Sequence, residues 1–582
     1  MSPLAALPRD GADGWSAWLR GSRLGLFLLA IVVGVAAGLG AIAFRYLIQA
    51  ITWLATGHDQ FGQAGRVVSG HLPALGLAFY LVVPAAGGLL YGPLVHRFAP
   101  EARGHGVPEV MAAVAENGGR IRPQVAVVKA LASALTIGTG GSVGREGPIV
   151  QIGSAMASAI GQRLRTPDSR LRILVACGAG GGIAATFNAP ITGVFFAVEI
   201  ILRELAGEAL FAIMLAAMVA DAVAVPVLGN GAFLSGFPRG VTIHGSADYL
   251  LVALLAVIAA LVGQAFRIVL YAVEDLCDRV WGGRPEWARP VVGGLVVGLL
   301  LLAVPQMFGV GYPVMFQALA GGYGVWFLLL LLVAKVLATS LTLGVGGSGG
   351  VFAPSLFVGL MTGTAYGTVA VHLFGAGAGH PALYAAVGMA GVFGSSTRAP
   401  LTALASVVEM TGDYSITLSI MLTVAVATVV SRGIGYGTIY TTKLLRRGQD
   451  VERAAPWRAF SLLTADEVMQ AIPHPEPLDD DLPAGRLETA GEPADRARGA
   501  VFASESVTEV LRHLQTEDRD AVPVLSENGH YLIGWATAPS VLRAIGRRLG
   551  GRPPGRAERV ARRVVPAKAD VSLAAVRGPR SP

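Results

Sequence analysis

KALASALTIGTGGSVGREGP occupies residues 129–148, and KVLATSLTLGVGGSGGVFAP occupies residues 335–354. The two stretches align without a gap and share eleven of their twenty residues. A second pair follows in register. ACGAGGGIAATFNAPITGVFFAVE (176–199) matches AVGMAGVFGSSTRAPLTALASVVE (386–409). The proline-to-proline offset is 206 residues in the first pair and 210 in the second. Two halves, roughly 70–230 and 285–440, therefore share one plan. In a membrane chain, repeated halves imply a pseudo-two-fold relation with a binding site at their interface near mid-membrane.

Composition supplies the membrane. Of 582 residues, 53% are hydrophobic and only 14% are charged, and the mean hydropathy is +0.59. Soluble chains carry about 25% charged residues. A soluble domain of this length would lack the polar surface to cover itself, so the chain reads as a polytopic, all-helical membrane protein. Residues 1–22 lack the apolar core of a secretory signal and read as a cytoplasmic segment before a retained first span. The net charge is +7. Arg9, Arg20 and Arg23 precede the first apolar block, and Lys443, Arg446 and Arg447 follow the last. By the positive-inside rule both termini are cytoplasmic, and the chain's compactness points to a bacterial inner membrane as the cell membrane it occupies. Nothing in the charge pattern suggests nucleic-acid binding. Cys177 and Cys277 lack CxxC partners and read as packing residues, neither disulfide nor metal ligands.

From Leu24 to about Ile439 the apolar blocks are interrupted by glycine clusters. Some blocks, such as Ile149–Ile160, are shorter than the ~20 helical residues a bilayer requires. Helices must then begin or end within the membrane, which is tolerated where the freed backbone groups face protein or a wet cavity. In Gly144-Arg145-Glu146-Gly147-Pro148, glycine allows close backbone approach and proline suits the first helical turn. A helix start presents unpaired N–H groups and about half a positive charge, an anion site without a full cation. Gly350-Val351-Phe352-Ala353-Pro354 and Gly104-His105-Gly106-Val107-Pro108 share this build. Three such starts can converge on one dehydrated anion and still release it, where a full cation would bind too tightly.

The ordered set GHGVP, GREGP, GVFAP and the late Tyr440 resembles the signature set of the CLC chloride channel and transporter family, as do VPEV, VQIG, FNAP and RAPLT. The resemblance covers nearly the whole membrane part, residues 23–440. It implies an inverted-repeat helical fold with broken helices, a homodimer with one anion pathway per subunit, and no enzymatic activity. Glu146 then matches the family's gate, a carboxylate that mimics the anion in the outer site and can be neutralised. The alternative for Glu146 is a structural ion pair with Arg145 or Lys129. Tyr440 matches the inner-gate tyrosine. His105, Gly106, Gly144, Arg145, Gly147, Val351, Phe352 and Tyr440 form the implied anion-binding set, and no metal or catalytic group is implied.

Two positions depart from the pattern. His105 stands where the family usually has serine. A neutral imidazole can donate one N–H, and its charge changes near an unperturbed pKa of ~6.5; otherwise the ring turns aside to a carbonyl. Ile200 stands where proton-coupled members carry a second glutamate, and it cannot relay a proton. The first reading is therefore a chloride-selective channel gated by Glu146, with a proton-coupled chloride antiporter as the alternative. Fluoride export fits less well, because GREGP carries the chloride-type proline. Glu199 and its counterpart Glu409 read as braces between the halves.

Residues 441–582 form a polar cytoplasmic tail. Ser506–Leu549 reads as helix, strand, turn, strand, helix, and the tail resembles one CBS module (about 460–550), with VMQAIPHPEP as its opening and RVARRVVPAKADVSLAAV as a partial second. Ser540 stands where such modules usually place a ribose-binding carboxylate. An adenine nucleotide is thus a poor fit, and no cofactor is expected.

Overall fold

The computed structural model describes residues 18–19, 22–58, 61, 69–204, 206–234, 236–238, 240, 245–375, 379–451, 463–477, 500–503, 505, 507–516, 520–526 and 531–550. The chain divides into two compact units, Met1–Val451 and Glu452–Pro582.

The first unit is helical. It opens with α1 (Arg23–Thr56). The first half then runs α2 (Phe79–Phe98), α3 (Val107–Glu116), α4 (Gln124–Gly138), α5 (Glu146–Arg163), α6 (Asp168–Phe187), α7 (Pro190–Phe196) and α8 (Gly207–Leu228). The long α9 (Ser246–Trp281) leads to the second half: α10 (Arg289–Ala303), α11 (Tyr312–Leu319), α12 (Val325–Gly344), α13 (Phe352–Phe374), α14 (Pro381–Thr397), α15 (Pro400–Thr411) and α16 (Thr417–Ile434). A short α17 (Thr441–Arg446) closes the unit. The halves correspond helix for helix, α2 with α10 through α8 with α16, as the repeat requires. Among the described residues, nine helices are long and apolar enough to cross a membrane.

Glycine sets how closely the layers approach. A Cβ on Gly153 of α5 would run into the Gly178 carbonyl of α6, and one on Gly359 of α13 into the Gly388 carbonyl of α14. The same bare-backbone contact thus occurs once in each half, at the places the repeat equates. The halves also cap one another. Glu199 accepts from the Leu401 and Thr402 N–H groups at 3.0 and 2.8 Å, at the start of α15. Glu409 accepts from the Ile191 and Thr192 N–H groups at 2.9 and 2.7 Å, at the start of α7. A carboxylate at a helix N-terminus satisfies orphan N–H groups and complements the dipole. Each glutamate therefore closes the short helix of the opposite half.

The charged stretch after Tyr440, read from sequence as the start of the tail, stays with the helical unit. Lys443 and Arg447 pair with Glu109 of α3 at 3.4 and 2.9 Å. Arg446 pairs with Asp275 of α9 at 2.6 Å.

The second unit holds a four-stranded sheet of order β1-β4-β3-β2, formed by β1 (Gln470–Pro477), β2 (Val501–Phe502), β3 (Ala521–Leu525) and β4 (Tyr531–Thr537). Strands β1 and β3 flank β4 antiparallel, and β2 lies parallel to β3. Helices α18 (Ala465–Val468), α19 (Val507–Thr516) and α20 (Ala538–Gly550) accompany it. Val507, Val510, Val522, Val524, Ala536 and Val541 are buried in one small core. The helix–strand–strand–helix order matches the sequence reading. The turn at 527–530 and the partial second module at 559–576 lie outside the described residues.

Candidate functional site: three helix starts around Glu146

Each of the three glycine–proline motifs breaks the chain and starts a helix. α3 starts at Val107, α5 at Glu146 and α13 at Phe352. The loops before them are stitched together. Gly144 and Gly350 exchange backbone hydrogen bonds of 2.8 and 2.6 Å. Gly104 donates to Gly347 at 3.1 Å and accepts from Gly349 at 3.3 Å. The side chains repeat the symmetry. Thr342 Oγ1 accepts from the Ser142 N–H and Thr136 Oγ1 accepts from the Ser348 N–H, both at 3.2 Å.

Two lysines, fully buried at equivalent positions, hold the loop carbonyls. Lys129 Nζ donates to Ala102 O and Gly104 O at 2.9 and 2.7 Å. Lys335 Nζ donates to Val310 O at 2.8 Å and to Ser142 Oγ at 2.9 Å. A buried ammonium must have acceptors. Here these are loop carbonyls and the Ser142 hydroxyl, whose partial negative charge the ammonium offsets where three amide-rich helix starts meet.

Glu146 is 1% exposed. Among the described residues it forms no ion pair; the alternative of a brace to Lys129 or Arg145 is not realised. Its Oε2 accepts from the Ala353 N–H of α13 at 3.3 Å. The buried carboxylate of one half thus sits on the helix start of the other. Its Oε1 accepts from the Tyr312 hydroxyl.

At Gly144 the sequence reading expects anion contact. In the structure its N–H donates to Gly350, so that amide is committed to joining the loops. Its bare Cα instead makes room, because a Cβ there would collide with the Glu146 carboxylate. Arg145 likewise differs from expectation. Its guanidinium turns over the rings of Tyr312, Phe187 and Phe233, 5.2, 5.7 and 5.9 Å from their centroids. It lines a cavity of about 440 Å³ together with Arg45, Asn188, Asp221, Phe233 and Tyr312. A Cβ on Gly147 would strike the His105 carbonyl, so glycine there lets α5 start against the His105 loop. Gly106, at φ 78°, adopts a conformation that favours glycine just before α3.

Phe352, opposite Glu146 in the repeat, is buried with its ring 4.6 Å from Phe393 and 5.6 Å from Phe187. Val351 immediately precedes α13, and the first-turn amides of that helix have no intrahelical acceptors. His105 is 3% exposed, and both ring nitrogens are buried without a hydrogen-bond partner among the described residues. The alternative of a ring turned to a carbonyl is therefore not what the structure has. The Tyr440 ring lies 6.1 Å from it. Lys443, Lys129 and Arg447 add positive potential at this point. A buried donor with no partner, in a positive field beside helix starts, is chemically fitted to an anion. Ile200 is 4% exposed in a π-helical turn, Ala197–Leu202, that follows α7.

The sequence reading missed Tyr312. Its signal was present: GVGYP (309–313) is the counterpart of GHGVP (104–108) at an offset of 205. The third motif is thus duplicated as well.

Broken helices from two related halves, meeting at mid-fold around a buried carboxylate, define a membrane anion-transport protein. Residues 87–432 match the family model described as voltage gated chloride channel. The chain is 33% identical over 442 residues to a putative chloride channel protein, ClcB-like, of Ralstonia nicotianae, covering 74% of this chain and 99% of that one. It is 32% identical over 447 residues to an H(+)/Cl(-) exchange transporter, ClcA, of Klebsiella pneumoniae, covering 74% and 91%. The crystal structure of a slow cyanobacterial Cl-/H+ antiporter superposes with a TM-score of 0.65 at 25% identity, covering 74% and 99%. The chain belongs to the CLC family of chloride channels and transporters.

Proposed function

We propose that the protein is a proton-coupled chloride transporter in which Glu146 and chloride compete for one seat at the start of α13. The observation that carries this reading is the Glu146 carboxylate on the Ala353 N–H, where an anion would bind. A carboxylate that fills the seat when charged and leaves when protonated links anion movement to proton movement. Chloride would enter a second position bounded by His105, the Val351 and Phe352 amides and Tyr440. The relatives named as exchange transporters favour exchange over the passive conduction that the sequence alone puts first.

One observation favours the passive channel. Ile200 is buried and apolar at the place where a second carboxylate would carry protons inward. Sealed proteoliposomes carrying a chloride gradient and an internal pH dye separate the two. An exchanger drives protons uphill against their own gradient, and Glu146→Gln abolishes that movement while chloride still flows. Chloride flux with no uphill proton movement in the unmodified protein would establish the channel instead.

We further propose that the protein works as a homodimer in a cell membrane with both termini cytoplasmic. The basic residues flanking the apolar region support that orientation. Ser540 is 5% exposed, and its Oγ accepts from the Thr537 N–H at 2.9 Å within the β4–α20 turn. An uncharged, internally bonded side chain at that position supports a tail that acts without an adenine nucleotide.

A further inference from the structure

We propose that Tyr312 is a positioning residue, a latch that holds Glu146 in its seat and sets how readily it leaves. The inference rests on the reading of Glu146 as the gate. The Tyr312 hydroxyl donates to Oε1 of Glu146 while the Ala353 N–H holds Oε2. The carboxylate is therefore gripped from both sides, by a helix start and by a side chain. Hydrogen bonds to charged groups are the stronger ones, so the hydroxyl weights the equilibrium toward the seated gate.

Tyr312 is itself fixed. It is the first residue of α11, with Pro313 behind it, so its backbone is set by the helix start. Its ring meets Phe233 edge-on at 4.6 Å, and the Arg145 guanidinium lies over it at 5.2 Å. Tyr312 also lines the 440 Å³ cavity that Arg45 and Asp221 share; His105 and Tyr440 do not line it. Glu146 itself does not line that cavity; its hydroxyl partner Tyr312 and its neighbour Arg145 do. The repeat makes the assignment specific. GHGVP sends His105 toward Tyr440, and its counterpart GVGYP sends Tyr312 to Glu146. The duplicated loop thus serves two positions along one pathway with two different side chains.

The charged and titratable groups acting on this pair are Arg145 before α5, Arg45 of α1, Lys335 of α12 and Tyr440 before α17. Tyr312→Phe leaves all of them in place, together with the ring over which the Arg145 guanidinium lies.

The test compares chloride and proton flux in proteoliposomes for the wild type, Tyr312→Phe, Glu146→Gln and the double variant, over external pH 5 to 8. With the latch removed, chloride flux at neutral pH should rise by about tenfold and fewer protons should move per chloride, at an unchanged melting temperature. In the Glu146→Gln background the same substitution should change nothing. A Tyr312→Phe protein with the wild-type flux and pH profile overturns the latch alone, provided Glu146→Gln abolishes coupling. An equal effect of Tyr312→Phe in both backgrounds also overturns it, because Tyr312 would then act on the pore and not through the gate. If Glu146→Gln itself leaves the pH profile intact, the gate reading falls and the latch with it.

Discussion

Gly144 and Gly350 donate to one another's carbonyl oxygens, across 206 residues of sequence. This exchange joins the two helix starts that flank the Glu146 seat, and the two glycines should answer differently to the same added methyl. At Gly144 the methyl meets the Glu146 carboxylate, the far end of a flexible side chain. Gly144→Ala should fold, expel the carboxylate, and give chloride flux that depends less on external pH. At Gly350 the methyl meets the Gly147 nitrogen at 2.6 Å, a backbone atom fixed by the start of α5. Gly350→Ala should lose about 1–3 kcal/mol, the usual range for overpacking. Melting curves in detergent and chloride efflux from vesicles give both answers, and the reverse ranking of the two variants would refute the geometry.

The reciprocal caps make a second prediction. Glu199 and Glu409 each accept two backbone N–H groups and one threonine hydroxyl at the start of the opposite short helix. Replacing a cap typically costs ~1 kcal/mol. Glu199→Ala and Glu409→Ala should therefore lower stability by similar amounts, about 1–2 kcal/mol, and leave the proton-to-chloride ratio unchanged. A ratio altered by Glu199→Ala alone would mean that this residue carries protons as well as closing a helix.

The unpartnered imidazole gives a third. Because neither His105 nitrogen bonds to protein, its removal strands no protein group. His105→Ala should weaken chloride binding by about tenfold, the equivalent of one hydrogen bond at ~1.4 kcal/mol. His105→Ser restores a donor and should recover much of it. Calorimetric titration of the detergent-solubilised protein with chloride would measure this. Equal affinity in the wild type and His105→Ala would show that the ring does not face the anion.

The fold could be read from sequence because the repeat, the glycines and the prolines are all local marks. Pro108, Pro148 and Pro354 each sit in the first turn of the helix that their motif predicts, and Pro190 and Pro400 open the two helices of the second repeat pair. The reciprocal bracing of Glu199 and Glu409 was legible for the same reason, as a pair in register. The partners of individual side chains were harder to read. Arg145 stands beside Glu146 in sequence yet turns to an aromatic cluster drawn from α6, α11 and residue 233. The committed amide of Gly144 follows from pairing with a loop of the other half, which no local pattern encodes. Tyr312 escaped because its motif keeps only the glycines and the proline of its counterpart, and the side chain that matters is shifted by two positions.

Ile200 carries the last prediction. It lies in the π-helical turn Ala197–Leu202, one residue after the capping Glu199, and its side chain is buried. If protons reach Glu146 from the inner side at a rate limited by the lack of a carboxylate here, Ile200→Glu should raise proton movement per chloride. The cost is the burial of an ionisable group in an apolar turn, which destabilises unless the group is neutral or hydrated. Ile200→Gln supplies the same volume and polarity without a transferable proton, and so serves as the control. The expected result is a several-fold rise in chloride-driven proton flux for Ile200→Glu and none for Ile200→Gln, with both variants losing some thermal stability. Proton flux that is already strong in the wild type and indifferent to either substitution would mean that the inward route bypasses this turn. Proton flux absent from all three would favour passive conduction.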